Sequence, residues 1–189
     1  MPHKFPVESK HILIDPERKE STDPQRVIGL LPIQPHHVVA DIGCGPGFFT
    51  IPFAKHLAQG KVFAVDMQQG MLDEVKARVE AEGLGNVDIC LSGELDIPLE
   101  KTSLDGVFLA YMLHETEAPL AFLRIMKKIL KDGGWLCLLE WIKEEMEDGP
   151  PVEERIAEED ALELVQKAGF KVTSRPKINE KHYMFVLDS

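Results

Sequence analysis

From Val38 onward, short apolar runs alternate with segments whose apolar positions recur at helical spacing. The short runs predict buried strands, and the segments with apolar residues three or four positions apart predict amphipathic helices. The predicted strands are residues 38–42, 61–66, 87–92, 105–112, 135–141, 170–174 and 182–187, and the predicted helices are residues 48–59, 71–83, 119–134 and 158–169. Near-continuous apolar strands separated by helices indicate a parallel sheet that is covered on both faces. The predicted fold class is therefore α/β.

The two ends of the chain depart from this alternation. Residues 170–174 and 182–187 have no helix between them, so they predict an antiparallel pair at one edge of the sheet. Residues 1–35 contain six prolines and are irregular, apart from one short helix that begins near Pro24. We expect residues 1–35 to form an N-terminal lid and residues 36–189 to form one domain.

Composition narrows the classes of function. The chain has 189 residues, and 32 Asp and Glu against 21 Lys and Arg give a formal net charge of −11. This sign disfavours a nucleic-acid substrate and adhesion to an anionic membrane, because Lys and Arg drive both kinds of binding. No apolar run is long enough to span a membrane, and the first ten residues lack the apolar core of a signal peptide. The three cysteines are dispersed without metal-ligand spacing, so we expect a cytoplasmic protein without a metal site.

A glycine-rich loop follows the first predicted strand. Gly43, Gly45 and Gly47 lead into the next helix, and glycines and a helix start bring backbone N–H groups close to a ligand. The second strand ends in Asp66, at the distance along the chain where a carboxylate accepts both hydroxyls of a ribose. Together these two features predict a nucleoside cofactor at the carboxyl ends of the strands.

The spacing of the glycines distinguishes between nucleoside cofactors. A dinucleotide fingerprint requires glycine at position 48, which is Phe48, and Asp41 would repel a pyrophosphate. A carboxylate beside an ammonium group is favourable instead. S-adenosylmethionine carries an adenosine, an ammonium and a carboxylate but no phosphate, so it fits this loop better than NAD does.

The chain resembles the class I S-adenosylmethionine-dependent methyltransferases, and most of all the branch that includes ubiquinone and menaquinone biosynthesis enzymes and many small-molecule methyltransferases. The similarity is carried by VVADIGCGPGFFT (38–50), VFAVDM (62–67), SGELDIPLEKTSLDGVFLAYMLHE (92–115) and LKDGGWLCLLEW (130–141). It implies a Rossmann-like sheet of seven strands, mostly parallel, with an antiparallel C-terminal edge hairpin and helices on both faces. It also implies S-adenosylmethionine as the cofactor.

The resemblance assigns a set of residues to the cofactor: Asp41, Gly43, Cys44, Gly45, Gly47, Asp66, Met67, Glu94, Leu95, Ala110 and Tyr111. By this likeness the glycine loop holds the methionine part, Asp66 holds the ribose, and Met67 covers one face of the adenine. Glu94 and Leu95 border the adenine. Family members often have aspartate at the position of Gly93, so here either Glu94 or the backbone alone makes that contact.

Methyl transfer from a sulfonium requires positioning and exclusion of water, and it requires a base only where the nucleophile must lose a proton. The predicted catalytic residues lie at the carboxyl end of the fourth strand and just after it: Tyr111, His114 and Glu115. Glu140 and Trp141, at the carboxyl end of the fifth strand, are further candidates. A core aromatic ring and a histidine that bonds to backbone are the alternative interpretations of these residues. An aromatic ring such as that of Tyr111 would also stabilise a sulfonium by cation–π attraction.

The sequence therefore predicts a methyltransferase that acts on a small molecule, with substrate walls from residues 1–35 and 143–157. A protein partner or a second copy of the chain would be the other way to complete the site. Two alternatives stay open, a non-catalytic adenosylmethionine-binding partner subunit and a nicotinamide-dependent oxidoreductase. Residues 143–160 hold nine carboxylates against Lys143 and Arg155, which indicates a solvated loop or, alternatively, attraction of a cationic substrate.

Overall fold

A computed structural model of the chain describes residues 5–14 and 22–189. The strands are β1 (Val38–Ile42), β2 (Lys61–Asp66), β3 (Val87–Leu91), β4 (Leu104–Ala110), β5 (Leu130–Trp141), β6 (Lys171–Ser174) and β7 (His182–Asp188). They form one sheet in the order β3-β2-β1-β4-β5-β7-β6. Strands β1 to β5 run parallel, whereas β7 is antiparallel to both β5 and β6. This confirms the predicted mostly parallel sheet with an antiparallel C-terminal pair.

Helices connect the strands except from β3 to β4 and from β6 to β7. The α-helices are α1 (Pro24–Ile28), α2 (Thr50–His56), α3 (Gln69–Ala81), α4 (Pro119–Ile129) and α5 (Glu158–Lys167). Short 3-10 helices cover Val7–Ile14, Leu113–Glu115 and Val152–Glu154. Over residues 5–14 and 22–189, no helix combines the length and the apolar character needed to cross a membrane.

Alternate residues of the central strands pack into two separate hydrophobic cores. In β4, Leu109 packs into a cluster with residues of α4 and α5, while Phe108 packs against Phe49 and Phe53 in another cluster. Successive side chains of a strand point to opposite faces, so one strand supplies both cores. The helices on the two faces therefore bury β4 on both sides and fix its carboxyl end.

The helix predicted over residues 119–134 is wrong at its carboxyl end. α4 stops at Ile129, because Leu130 is extended and already pairs with the start of β4. The last carbonyls of the helix accept the N–H groups of Thr102 and Ser103, which precede β4. Strand β5 is correspondingly longer than predicted. The helix predicted over residues 48–59 is also shorter, at both ends.

The short N-terminal helix forms as predicted. α1 begins at Pro24, and the side chain of Asp23 caps it by accepting the N–H of Gln25 at 3.0 Å. Residues 1–4 and 15–21 of the predicted lid lie outside the described residues. Residues 5–14 contact the helix α3 and the loop after β2, and we refer to them as the N-terminal segment.

A close contact inside the sheet makes Gly106 of β4 sensitive to substitution. A Cβ atom at this position would lie 2.2 Å from the ring of the buried Trp135. We expect Gly106→Ala to lower the free energy of unfolding by about 1–3 kcal/mol, because the ring has to move within a packed core. Gly85→Ala is the matched control, since nothing lies within 4 Å of its new Cβ. Urea unfolding measures both variants, and equal midpoints would contradict this packing.

Candidate functional site

A cavity of about 860 Å³ opens at the carboxyl ends of the parallel strands. This volume is in the range of small-molecule binding sites. The strand order reverses between β1 and β4, which is where open α/β sheets bind ligands. Most of the predicted site residues line the cavity: Asp41, Gly43, Cys44, Gly45, Asp66, Met67, Glu94, Ala110, Tyr111, His114 and Glu115.

Two residues predicted to contact the cofactor, Gly47 and Leu95, are not among the residues that line the cavity. Gly47 has a φ of +84°, and a Cβ there would lie 3.3 Å from Val75 of α3, so this glycine serves the loop conformation and the packing of the helix. Leu95 is 47% exposed. Ile97, which was not predicted from the sequence, lines the cavity from the same loop.

The glycine loop is held in shape by the neighbouring strand β2. The N–H of Gly43 donates to the carbonyl of Val65 at 2.8 Å, and the N–H of Gly45 donates to Oδ2 of Asp66 at 2.9 Å. Gly43 has a φ of +70°, and the side chain of Met112 lies 3.1 Å from where a Cβ would stand. Any other residue at position 43 would therefore be strained and would collide with Met112.

Asp66 lies at the end of β2 with both carboxylate oxygens hydrogen-bonded. Oδ2 accepts the N–H of Gly45, and Oδ1 accepts the N–H of Gln68 at 2.9 Å. Burial raises the pKa of this carboxyl, and the backbone N–H groups oppose that increase. Each carboxylate oxygen has a further lone pair, so Asp66 can still accept hydroxyl groups from a ligand. This arrangement fits the diol of a ribose.

Asp41 lies at the entrance to the glycine loop and is only 2% exposed. The hydroxyl of Thr50, the first residue of α2, donates to its Oδ2 at 2.6 Å. A buried carboxylate that lines the cavity favours a cationic group such as an ammonium and disfavours a pyrophosphate. Asp41 and Asp66 therefore fit the amino group and the ribose of S-adenosylmethionine.

Two of the residues predicted to border the adenine, Met67 and Glu94, line the cavity from different loops. Met67 follows β2 and is 38% exposed. Glu94 follows β3, and its Oε1 accepts the N–H of Glu117 at 2.7 Å. This bond connects the loop after β3 to the segment after β4. Glu94 thus has a role in joining two cavity loops, in addition to its place in the cavity lining.

A fully buried carboxylate, Glu140 of β5, organises the chain after β4. Its Oε1 accepts the N–H of Leu113 at 2.8 Å, and its Oε2 lies 2.9 Å from Nδ1 of His114. His114 and Glu140 were each predicted from the sequence as candidates, but their pairing was not predicted. Because β4 and β5 are adjacent and parallel, their carboxyl ends meet, and the pair fixes the 3-10 helix and the orientation of the imidazole.

Opposed effects determine the pKa of His114. Burial lowers it, whereas the charge and the hydrogen bond of Glu140 raise it, with smaller contributions from Glu115 and Glu154, and the net result is a pKa above the usual value. His114 is among the residues that line the cavity. A histidine oriented by a buried carboxylate is the arrangement of a general base.

The N-terminal segment covers one side of the cavity. Its residues in the cavity lining are Phe5, Pro6, Ile12 and Leu13. The side chain of Gln68 donates to the carbonyl of Phe5 at 3.0 Å, and the N–H of Phe5 donates to Glu115. The segment is therefore tied to the loops after β2 and after β4.

The pH dependence of stability tests the burial of Glu115 beneath this segment. Burial raises its pKa from 4.5 to about 7, opposed by His114 and the N–H of Phe5. The native state therefore binds more protons than the unfolded state, so stability falls as the pH rises from 4.5 to about 7. We expect Glu115→Gln to raise the free energy of unfolding above pH 7 by about 1–3 kcal/mol, without a comparable gain at pH 4.5. Denaturant unfolding at both pH values measures the difference, and an equal effect at both would contradict it.

The acidic residues after β5 are mostly exposed, as their charge indicates, but the loop that carries them also folds against the cavity. We call residues 143–157 the acidic loop. The buried Arg155 donates to the carbonyls of Ile142, Glu144, Asp148 and Pro150. These bonds fold the loop inward, so that residues 148–151 and Glu154 line the cavity.

The fold and the site define a Rossmann-like protein with a nucleoside-cofactor site of the methyltransferase type. Residues 39–134 match the methyltransferase domain family. A solved S-adenosylmethionine-dependent methyltransferase from Aquifex aeolicus superposes with a TM-score of 0.94 at 32% identity, covering 98% of this chain and 99% of that chain. The chain therefore belongs to the class I S-adenosylmethionine-dependent methyltransferases. This confirms the predicted class of enzyme and its cofactor.

Curated relatives with assigned acceptors are similar over part of the chain. The demethylmenaquinone methyltransferase of Lactococcus lactis is 30% identical over 103 residues, which are 54% of this chain and 41% of that protein. The tRNA U34 carboxymethyltransferase of Desulfotalea psychrophila is 35% identical over 127 residues, which are 66% and 39% of the two chains. The chain thus aligns with about two fifths of the length of these relatives. Because their names give different acceptors, family membership leaves the acceptor open.

Proposed function

We propose that the protein transfers a methyl group from S-adenosylmethionine to a small-molecule acceptor. The observation that carries this proposal is that residues with two different roles line the same cavity. The glycine loop and Asp66 fit the cofactor. His114, which is bonded to Glu140, and the rings of Tyr111 and Trp141 line the cavity as well. The cavity thus has a proton acceptor and aromatic wall residues for an acceptor molecule in addition to the cofactor residues.

In the proposed reaction, bound S-adenosylmethionine supplies an activated methyl group. Asp66 binds the ribose hydroxyls and the glycine loop holds the methionine part. The N-terminal segment and the acidic loop exclude water from the cavity. His114 accepts the proton of the attacking nucleophile on Nε2, while its Nδ1–H stays bonded to Glu140, whose charge stabilises the imidazolium. The protein thereby orients the reactants and removes one proton.

The charge of the cavity supports a small molecule over a nucleic acid. Carboxylates line it from several separate loops and strands: Asp41, Asp66, Glu94, Glu115, Asp148 and Glu154. Lys181 also lines it but forms an ion pair with Asp148. A phosphate backbone would meet net repulsion here, because proteins bind it with clustered Lys and Arg. We further propose that residues 1–35 act as a lid, which the contacts of the N-terminal segment with Gln68 and Glu115 support.

An acceptor screen tests the proposed function. The purified protein is incubated with S-adenosylmethionine and either a panel of phenols, amines, carboxylates and active-methylene compounds or tRNA. Formation of S-adenosylhomocysteine is followed by mass spectrometry. We expect turnover on members of one nucleophile class and none in Asp66→Asn. Turnover on tRNA alone would contradict the small-molecule proposal. Intact cofactor binding with no turnover, together with a stable complex in pull-downs, would favour the non-catalytic partner subunit.

A further inference from the structure

A chain of polar contacts holds Tyr111 from behind the cavity wall. The hydroxyl of Tyr111 lies 3.0 Å from Oγ1 of Thr22, and Oγ1 of Thr22 lies 3.5 Å from Nδ1 of His182. Thr22 and His182 are only 1% and 4% exposed, and neither is among the residues that line the cavity, whereas Tyr111 is. The Tyr111 side chain is therefore anchored by a residue that precedes α1 and by the first residue of β7.

Aromatic contacts reinforce this anchor. The ring of His182 lies with its centroid 4.8 Å from that of Tyr111 and 4.2 Å from that of Trp141. The ring centroids of Tyr111 and Trp141 are themselves 5.5 Å apart, and both residues line the cavity. Rings at these separations attract one another in tilted and edge-to-face arrangements. His182 thus supports two adjacent rings of the cavity wall at once.

The backbone of Tyr111 adopts a strained conformation that the surrounding residues must hold in place. Its φ is +58°, in the left-handed region that residues with a side chain rarely adopt. Such a conformation costs free energy and persists only where the surroundings hold it, most often at functional sites. The N–H of Tyr111 donates to the carbonyl of Leu139 at 2.8 Å, which fixes the backbone, and Thr22 and His182 fix the ring.

We propose that Thr22 and His182 are positioning residues of the acceptor site, because Thr22 anchors the Tyr111 hydroxyl and His182 packs against its ring, so that together they hold the ring at the cavity wall. This inference rests on the proposed function for the identity of the acceptor side. The ring orders the acceptor next to the methyl group, and the anchor keeps it from turning away. Thr22 and His182 contact Tyr111 rather than the ligand, so their loss acts through the ring.

The ionisation of Tyr111 gives a readout that needs no methyl transfer. The chain has two tyrosines, Tyr111 and Tyr183. Burial raises the pKa of Tyr183 well above its usual range, and the tyrosinate absorbance that Tyr111→Phe removes from the titration is the part that reports on Tyr111. We expect Thr22→Val to raise the midpoint by about one pH unit, because the lost hydroxyl can donate to the phenolate. Thr22→Ser should restore the original midpoint.

Two further variants separate anchoring from general damage. His182→Phe keeps the ring contacts and removes Nδ1, so we expect a smaller rise of the midpoint than in Thr22→Val. Thr173→Val removes a hydroxyl that bonds to the carbonyl of Val186 in the edge hairpin, and it should leave the midpoint unchanged. Circular dichroism over the same pH range verifies that each variant stays folded. An unchanged midpoint in Thr22→Val, or failure of Thr22→Ser to restore it, would overturn the proposed anchor.

A second measurement distinguishes the acceptor side from the cofactor side. Calorimetric titration with S-adenosylhomocysteine should give the same affinity for Thr22→Val and the original protein within about twofold. The KM for an acceptor found in the screen should rise by about tenfold in Thr22→Val and recover in Thr22→Ser. An equal loss of S-adenosylhomocysteine affinity would overturn the assignment to the acceptor side. If the screen finds no acceptor, the tyrosinate titration still decides whether the anchor exists.

Discussion

Asp66→Asn is expected to lower the affinity for S-adenosylmethionine by about 100-fold or more. The carboxylate accepts the N–H groups of Gly45 and Gln68 and offers its remaining lone pairs to the ribose. An amide places an NH₂ group where one of these acceptors stood, so it opposes either a backbone N–H or a ribose hydroxyl. The glycine loop and the ribose contact are therefore weakened together. Calorimetric titration with S-adenosylmethionine and S-adenosylhomocysteine measures the loss.

The matched control for this variant is Asp73→Asn. Asp73 is exposed on α3 and accepts a bond from the side chain of Gln69, away from the cavity lining. The control removes the same charge from the same part of the chain, so it should leave the affinity within about twofold of the original. Thermal melts verify that both variants fold. Equal affinities for Asp66→Asn and Asp73→Asn would contradict the placement of the ribose at Asp66.

His114→Gln is expected to lower kcat by about 10²–10⁴, while the affinity for S-adenosylhomocysteine is retained. This range is the usual contribution of a general base, and it applies to an acceptor whose nucleophile must lose a proton. In the original protein, kcat/KM should rise with pH as His114 loses its proton. Because Glu140 raises the pKa of His114, Glu140→Gln should move this rise to lower pH. Initial rates of S-adenosylhomocysteine formation across about pH 5–9 test both expectations.

Glu144→Gln controls for the loss of charge near this pair. Glu144 is exposed, and its backbone carbonyl, not its side chain, accepts the bond from Arg155. We expect its pH–rate profile to match that of the original protein. A profile of Glu140→Gln that stays in place would show that Glu140 does not act through His114. Full activity of His114→Gln would assign proton removal to another group or to none.

The fold could be predicted because its signals are local. Alternating apolar runs and helical periodicity identified the strands and the major helices, and the absence of a helix before β7 predicted the antiparallel hairpin. The predicted carboxyl end of α4 was wrong for a physical reason. The pairing of Leu130 with β4 ends the helix, and Gly133 and Gly134, at the end of the predicted helix, lie inside the longer β5. Such pairing between distant segments cannot be read from the local pattern of apolar and polar residues.

The cofactor end of the site was predictable for the same reason. Asp41, the glycines and Asp66 occur at fixed spacing around consecutive strands, so the sequence alone brings them together. The part of the site that we assign to the acceptor depends on contacts between residues that are distant in the sequence. Glu140 and His114 are 26 positions apart, and Thr22 and His182 are 160 positions apart. Only the order of the strands and the packing of the chain before α1 bring these side chains into contact.

The acidic loop shows what charge alone leaves out of a prediction. Nine carboxylates in residues 143–160 against Lys143 and Arg155 indicate side chains that stay in water, and most of them are exposed. The charge pattern does not give the path of the loop, which Arg155 fixes because it donates to four backbone carbonyls and lies 5.5 Å from the ring centroid of Trp141. The sequence names the residue types, but it does not show that Arg155 bonds to carbonyls rather than to a carboxylate.

Calorimetric titration of the unaltered protein with S-adenosylmethionine, S-adenosylhomocysteine and NAD tests the cofactor site most directly. The glycine loop, Asp41 and Asp66 predict micromolar binding of the first two and no binding of NAD. Binding of NAD without binding of S-adenosylmethionine would contradict the assignment of the ammonium group to Asp41. It would assign the cavity to a nicotinamide cofactor instead.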